Sequence, residues 1–214
     1  MSIAAKICGI CSEEAVTAAV SEGAAYLGFV FYSPSPRAVT PGRAAQLCAA
    51  IPAGIERVGL FVDAADLLLE TALASAPLDI LQFHGDETPE RVVEVRHRFG
   101  RRMMKVVAIS GTEDVLDAAR YEDIADLLLF DAKPPSRPDA LPGGNGLAFD
   151  WRLIADRSWR CPWMLSGGLT AEVLPDAVRI SGARMVDVSS GVESRPGVKD
   201  PEKIRAFLTA ARAL

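Results

Sequence analysis

The stretch KICGICSEEA, residues 6–15, holds two of the chain's four cysteines, Cys8 and Cys11, in a C-x-x-C spacing. That spacing suits three chemistries: half of a zinc site, a redox dithiol, or one catalytic thiol with a cysteine neighbour. Zinc needs two more ligands, and the soft candidates Cys48, Cys161, His84 and His97 form no matching pair. A redox dithiol opens a helix after a strand, and Cys8-Gly9-Ile10-Cys11 is near enough to that pattern to keep it open. Asp131 follows the apolar run LLLF, and a carboxyl closing such a run needs a partner or a task. A thiol with a pKa near ~8.5 and a carboxyl near ~4 become a base and an acid once their surroundings shift them toward neutrality. Arg37, in SPSPRAV, reads either as a solvated charge or as a bidentate fork for a carboxylate. His84 reads equally as a satisfied polar group or a catalytic one.

Two further stretches carry an anion signal. LSGGLT (165–170) contains Gly167 and Gly168, and DVSSGVE (187–193) contains Ser189, Ser190 and Gly191. Glycines let the backbone approach a ligand closely, and free N–H groups at a helix start favour an anion. The plainer alternative is that these glycines only turn the chain.

These residues need a scaffold, and the chain has a regular beat. Short apolar runs recur at 4–8, 26–31, 57–62, 78–83, 103–109, 125–130, 161–165 and 184–189. They are continuously apolar instead of alternating, as strands buried on both faces of a parallel sheet are. Helix-start signals lie between them. Thr88-Pro89 and Asp200-Pro201 each place a capping side chain before a proline, and Ser12, Thr112 and Thr170 are further caps. Gly100 and Gly182 stand where helices should stop. Ile204, Phe207, Leu208 and Ala211 form one apolar helical stripe. Eight strand–helix units at about 27 residues each fit a small (β/α)8 TIM barrel of the α/β class, one domain spanning residues 1–214. An open doubly wound sheet is the competitor, but its G-x-G-x-x-G after the first strand is missing.

In such a barrel the site lies at the C-terminal ends of the strands. Cys8, the loop to Arg37, Asp63, His84, Asp86, Asp131, Gly167, Gly168 and Ser189–Gly191 all fall there. The glycine loops occupy strands seven and eight, the usual place for a phosphate. The run 132–146, with four prolines and three glycines, reads as a lid or as a surface insertion.

Composition removes several functions. The net charge is −5, from 23 basic and 28 acidic side chains that are scattered, so no nucleic-acid partner is expected. No apolar run reaches the length of a membrane span, and MSIAAKICGI lacks the features of a signal peptide. A cytoplasmic location with reduced thiols follows, and Cys11, Cys48 and Cys161 read as structural.

Taken in order, KICGI, GFVFYSPSPRAVTP, VGLFV, LQFHGDE, the Asp131 strand end, PGGNGLAFDW, LSGGL and VDVSSGVES resemble the phosphoribosylanthranilate isomerase family over effectively the whole chain. Cys11 departs from the family, which commonly has Thr there, and that departure creates the C-x-x-C. The resemblance implies an Amadori rearrangement in tryptophan biosynthesis, from N-(5-phosphoribosyl)anthranilate to 1-(2-carboxyphenylamino)-1-deoxyribulose 5-phosphate. It implies Asp131 as general acid and Cys8 as general base, with Arg37 on the anthranilate carboxylate. Gly167, Gly168, Ser189, Ser190 and Gly191 would hold the phosphate, with His84 and Asp187 as supporting members. It implies no cofactor and no metal, since the imine formed from the substrate is the electron sink. The partner is a phosphosugar, and a homodimer is one assembly open to it. Another sugar-phosphate isomerase or epimerase on the same barrel is the enzymatic alternative, and a zinc or redox module built on Cys8 and Cys11 the non-enzymatic one.

Overall fold

In the computed structural model, which describes residues 3–135, 141–155 and 157–214, eight parallel strands close into a barrel in chain order. The strands are β1 (Ala4–Cys8), β2 (Tyr26–Val30), β3 (Glu56–Phe61), β4 (Ile80–Phe83), β5 (Arg102–Ile109), β6 (Leu127–Ala132), β7 (Trp163–Leu165) and β8 (Met185–Val188). The helices are α1 (Glu13–Ser21), α2 (Pro41–Cys48), α3 (Asp66–Ser75), α4 (Pro89–Phe99), α5 (Thr112–Ala118), α6 (Arg152–Ala155), α7 (Leu174–Ser181) and α8 (Pro201–Arg212). A small antiparallel hairpin, β9 (Glu193–Arg195) and β10 (Val198–Lys199), sits between β8 and α8. All eight expected strands are present, and the expected barrel replaces the open sheet.

Strand alternation divides the core in two. One set of side chains, among them Val58, Ile80, Met104, Leu129 and Met164, fills the barrel interior. The opposite set, including Phe29, Phe61, Phe83 and Phe130, packs outward under the helices. This double burial is why the strands read as unbroken apolar runs. Ile204, Phe207, Leu208 and Ala211 of α8 are all buried, as their spacing requires.

The caps at Ser12, Thr88 and Asp200 form as expected, and Gly100 and Gly182 end their helices in the left-handed conformation. Two expected caps differ. Thr112 is the first residue inside α5, because the Asp114 carboxylate takes the amides of Ser110 and Gly111 at 2.7 and 3.2 Å and moves the cap to Gly111. Thr170 precedes a turn, and α7 starts only at Leu174, whose amide donates to the Thr170 carbonyl. A cap at Thr40, ahead of Pro41, was legible by the same rule and is an addition.

No helix among the described residues is long and apolar enough to cross a membrane. Phe207→Ala should cost about 3–5 kcal/mol of unfolding free energy, because its ring is fully buried. Leu67→Ala, at a side chain 73% exposed, should stay within about 0.5 kcal/mol. Equilibrium urea denaturation of the two variants checks the contrast, and equal costs would contradict this packing.

Candidate active site

The C-terminal ends of the strands surround a cleft. All ten residues that the family resemblance assigns to the site line it: Cys8, Arg37, His84, Asp131, Gly167, Gly168, Asp187, Ser189, Ser190 and Gly191. Asp63 and Asp86 stay outside it. The Asp63 carboxylate takes the Asp86 amide at 2.8 Å, and both lie at a neighbouring surface depression.

Cys8 is the last residue of β1 and is buried. Burial pushes its thiol pKa up, and the Lys6 ammonium pulls it partly back. Cys11, three residues on, donates from Sγ to the Gly197 carbonyl at 3.1 Å, on the hairpin. Burial pushes the thiols of Cys11 and Cys161 up as well, and that of Cys48 up to about 11. Among the described residues no group of three or more His, Cys, Asp and Glu is placed to hold a metal.

Asp131 lies inside β6, whose pairing with β5 runs two residues beyond the expected end, through Ala108↔Asp131 and Ile109↔Ala132. Its Oδ1 accepts the Ala132 amide at 2.8 Å, and Oδ2 stands 3.5 Å from His84 Nε2. His84 follows the end of β4 and is mostly covered, so the carboxylate has one oxygen fixed and one beside an imidazole.

Arg37 is not the solvated charge of the plainer reading, being 5% exposed. It makes the expected fork, yet its partner within the chain is Glu193: Nε at 2.7 Å and Nη2 at 2.9 Å. Nη2 also donates to the Gly144 carbonyl at 3.2 Å. Glu193 in turn receives Lys199 Nζ at 2.8 Å, and Lys199 donates to the carbonyl and hydroxyl oxygens of Ser189 at 2.9 and 3.2 Å. Although burial favours the neutral acid, Arg37 and Lys199 hold the Glu193 carboxyl below its ordinary range. Burial pushes the Lys199 ammonium down, and Glu193 opposes that shift.

The two glycine loops meet backbone to backbone. A Cβ on Gly191 would fall 1.9 Å from the Leu169 carbonyl oxygen, so no side chain fits there. Among the described residues, no acceptor takes the amides of Gly168 or Gly191, which leaves donors for an anion.

Part of the 132–146 stretch closes the cleft from above. Leu141–Leu147 line it, with the Asn145 side chain donating to the Leu141 carbonyl at 2.8 Å. Gly143 presses on His84 and Asp131, and Gly144 on the Arg37 guanidinium, so closely that a Cβ at either would clash. Residues 136–140 of that stretch lie outside the described residues.

Sequence reasoning missed Lys6, Gln82, Ser166, Glu193 and Lys199. Lys6 is fully buried and donates to Asp187 Oδ1 at 2.8 Å, while Asp187 Oδ2 accepts Ser166 Oγ at 3.1 Å. Gln82, on β4, lines the cleft with both amide atoms unpartnered. A lysine within AAKIC and a glutamine within LDILQF were the available signals, since neither fits an apolar strand without a reason.

Comparison with known proteins agrees with this geometry. The family model described as N-(5'phosphoribosyl)anthranilate (PRA) isomerase matches residues 5–210. The chain belongs to the phosphoribosylanthranilate isomerase family. It is similar to the N-(5'-phosphoribosyl)anthranilate isomerase of Rhodospirillum centenum, with 56% identity over 214 residues and 100% of both chains covered. Its fold is similar to the crystal structure of phosphoribosyl anthranilate isomerase from Thermotoga maritima, with a TM-score of 0.88 and 33% identity over 99% of this chain and 100% of that one. A structure of phosphoribosyl anthranilate isomerase in complex with reduced 1-(o-carboxyphenylamino)-1-deoxyribulose 5-phosphate is similar at a TM-score of 0.84, with 32% identity over 99% of this chain and 100% of that one.

The glycine loops give this site a direct test. Gly191→Ala should destabilise the chain by about 1–3 kcal/mol, because the two loops must part to admit a methyl group. Gly42→Ala, in α2 with nothing near its would-be Cβ, should be neutral or stabilising by up to about 1 kcal/mol. A loss of stability in urea denaturation for Gly191→Ala and none for Gly42→Ala is the expected result.

Proposed function

We propose that the chain carries out its family's reaction, the rearrangement of N-(5-phosphoribosyl)anthranilate to 1-(2-carboxyphenylamino)-1-deoxyribulose 5-phosphate in tryptophan biosynthesis, with Asp131 as acid and Cys8 as base. The observation that carries this reading is the pairing of a buried thiol on β1 and a buried carboxyl on β6 in one cleft, with anion donors on both sides.

The steps follow from that arrangement. Asp131, protonated, gives its proton to the furanose ring oxygen as the bond from that oxygen to C1′ breaks. The nitrogen lone pair supplies the electrons, leaving an open-chain protonated imine. His84 Nε2, unpartnered and 3.5 Å from Oδ2, is the neighbour within reach of this carboxyl. Cys8, as thiolate, then removes the C2′ proton, and the electron pair flows into the imine to form an enolamine. Tautomerisation gives the ketone. The imine is the electron sink, so no cofactor enters these steps.

Binding falls to the two ends of the cleft. The phosphate is assigned to the free amides of Gly168 and Gly191, with Gly167, Ser189 and Ser190 shaping the pocket. The anthranilate carboxylate is assigned to Arg37. Glu193 occupies one edge of the guanidinium and fixes its plane, which leaves Nη1 for the ligand. Gly144 now stands against that Nη1, so the 141–147 segment is read as a lid that shifts for substrate. Gln82 offers an unpartnered amide for a sugar hydroxyl, and Asp187 acts on the site through Lys6 and Ser166.

Loss of substrate fluorescence on adding the protein tests the activity. Cys8→Ser and Asp131→Asn should each lower kcat by at least about 10²-fold, the scale of a lost general base or acid. Cys11→Ser and added chelator should leave turnover near normal. Inorganic phosphate should compete with substrate. Near-normal kcat in Asp131→Asn would move the acid to another group, and equal damage from Cys11→Ser would overturn the single-thiol mechanism.

A further inference from the structure

The assignment of Cys8 as base leaves a problem. Burial raises the pKa of a thiol, and a buried thiol with no nearby cation has little thiolate near neutral pH. Next to the thiol on the same strand is a buried charge whose part in the proton transfers is not yet assigned. Lys6 is 0% exposed and is among the largest fully buried side chains.

Its place is set by strand geometry. Residues two apart on a strand share a face, so Lys6 and Cys8 both point into the barrel from β1, with Lys6 one layer lower. The neighbouring position on β2 is Gly28. A Cβ built there would fall 3.1 Å from Cys8 Sγ and 3.2 Å from Lys6 Cε, so thiol and lysine stem flank the same bare patch. A larger residue at 28 would hold them apart.

We propose that Lys6 is a positioning residue for the base: its ammonium, anchored by Asp187 beneath the thiol, is the counter-charge against which Cys8 forms its thiolate. The inference rests on the reading of Cys8 as base. Asp187 has two effects. It keeps Lys6 charged where burial alone would discharge it, and the Lys6 pKa ends above its ordinary value despite burial. Its own negative charge opposes the thiolate, but one of its oxygens is turned to Ser166, and the ammonium is felt more strongly at the sulfur. The other charged and titratable groups facing this end of the cleft are Lys199 from β10, which favours the thiolate, and Arg37, His84 and Asp131 around the rim, with Glu193 paired to Arg37 and Lys199. Only Lys6 shares the strand face of Cys8.

The test uses a Cys11→Ser, Cys48→Ala, Cys161→Ala chain, in which Cys8 is the sole thiol, and follows iodoacetamide alkylation against pH. Lys6→Met should raise the apparent pKa of Cys8 by about one unit or more and slow alkylation at pH 7.5 about tenfold, since each unit is a tenfold change in thiolate. In turnover, kcat should fall and recover as pH rises, with KM little changed. Lys6→Met leaves Asp187 unpaired, so Lys6→Met/Asp187→Asn, which keeps the contact to Ser166, is measured beside it and should shift the profile the same way. In the unsubstituted chain, the Lys6 Nζ resonance in a 15N-lysine sample should titrate with the Cys8 ionisation. An alkylation profile unmoved in either variant, or an Nζ resonance flat through that ionisation, overturns the proposal. A Cys8→Ser enzyme with normal turnover would remove the reading beneath it, whereas an inactive Cys8→Ser enzyme with an unmoved profile in Lys6→Met would remove this inference alone.

Discussion

Where the last strand of the barrel meets the first, Lys6 of β1 pairs with Asp187 of β8 both as neighbours in the register and as a buried ion pair at 2.8 Å. A charge held out of water tolerates few arrangements. Removing one partner of such a pair typically costs about 3–5 kcal/mol, because the other is left uncompensated. A slip of the seam by one residue would turn Lys6, and with it Cys8, to the outer face of the sheet among the helices. The ion pair therefore selects the closure, and the closure aims the thiol. Ser166 on the β7 side donates to the second Asp187 oxygen, so the last two junctions of the barrel, β7–β8 and β8–β1, converge on one carboxylate.

A second chain of charge does for the rim what the first does for the seam. Arg37, Glu193, Lys199 and the Ser189 carbonyl are linked in sequence by contacts of 2.7–2.9 Å. They tie the loop after β2 to the β9–β10 hairpin and to the glycine loop after β8. The hairpin is pressed down so closely that a Cβ on Gly197 would lie 2.4 Å from the Pro36 carbonyl oxygen. The two ends of the cleft are thus set at a fixed distance before any ligand arrives. Preorganised donors cost little reorganisation when charge moves.

How much of this was legible depended on the range of the signal. Strands and helices are local, and the apolar runs and Thr-Pro or Asp-Pro caps located them within a few residues. Errors came where a third partner intervened: Asp114 displaced the cap from Thr112, and β5 pairing carried β6 through Asp131. The family pattern brought ten residues to one cleft. The ion pairs were not legible, because Lys6 and Asp187 are 181 positions apart and Arg37 and Glu193 are 156 apart. A lone charge in an apolar run announces that a partner exists without naming it. Lys6 and Gln82 carried that announcement and were passed over.

The same geometry explains why a C-x-x-C need not act as a pair. Cys8 is the last residue of β1, where strand alternation turns its side chain into the barrel beside Lys6. Gly9 then takes a positive φ of 78° against the Arg37 side chain, and the chain leaves the strand direction at once. By Cys11 it is one residue from the Ser12 cap of α1, and the second sulfur finds the Gly197 carbonyl on the hairpin. Spacing along a helix would have kept two such residues within reach of each other. Spacing across the end of a strand instead places them in different surroundings. One sulfur faces a buried ammonium and the cleft, the other a backbone carbonyl. The chemistry follows the surroundings.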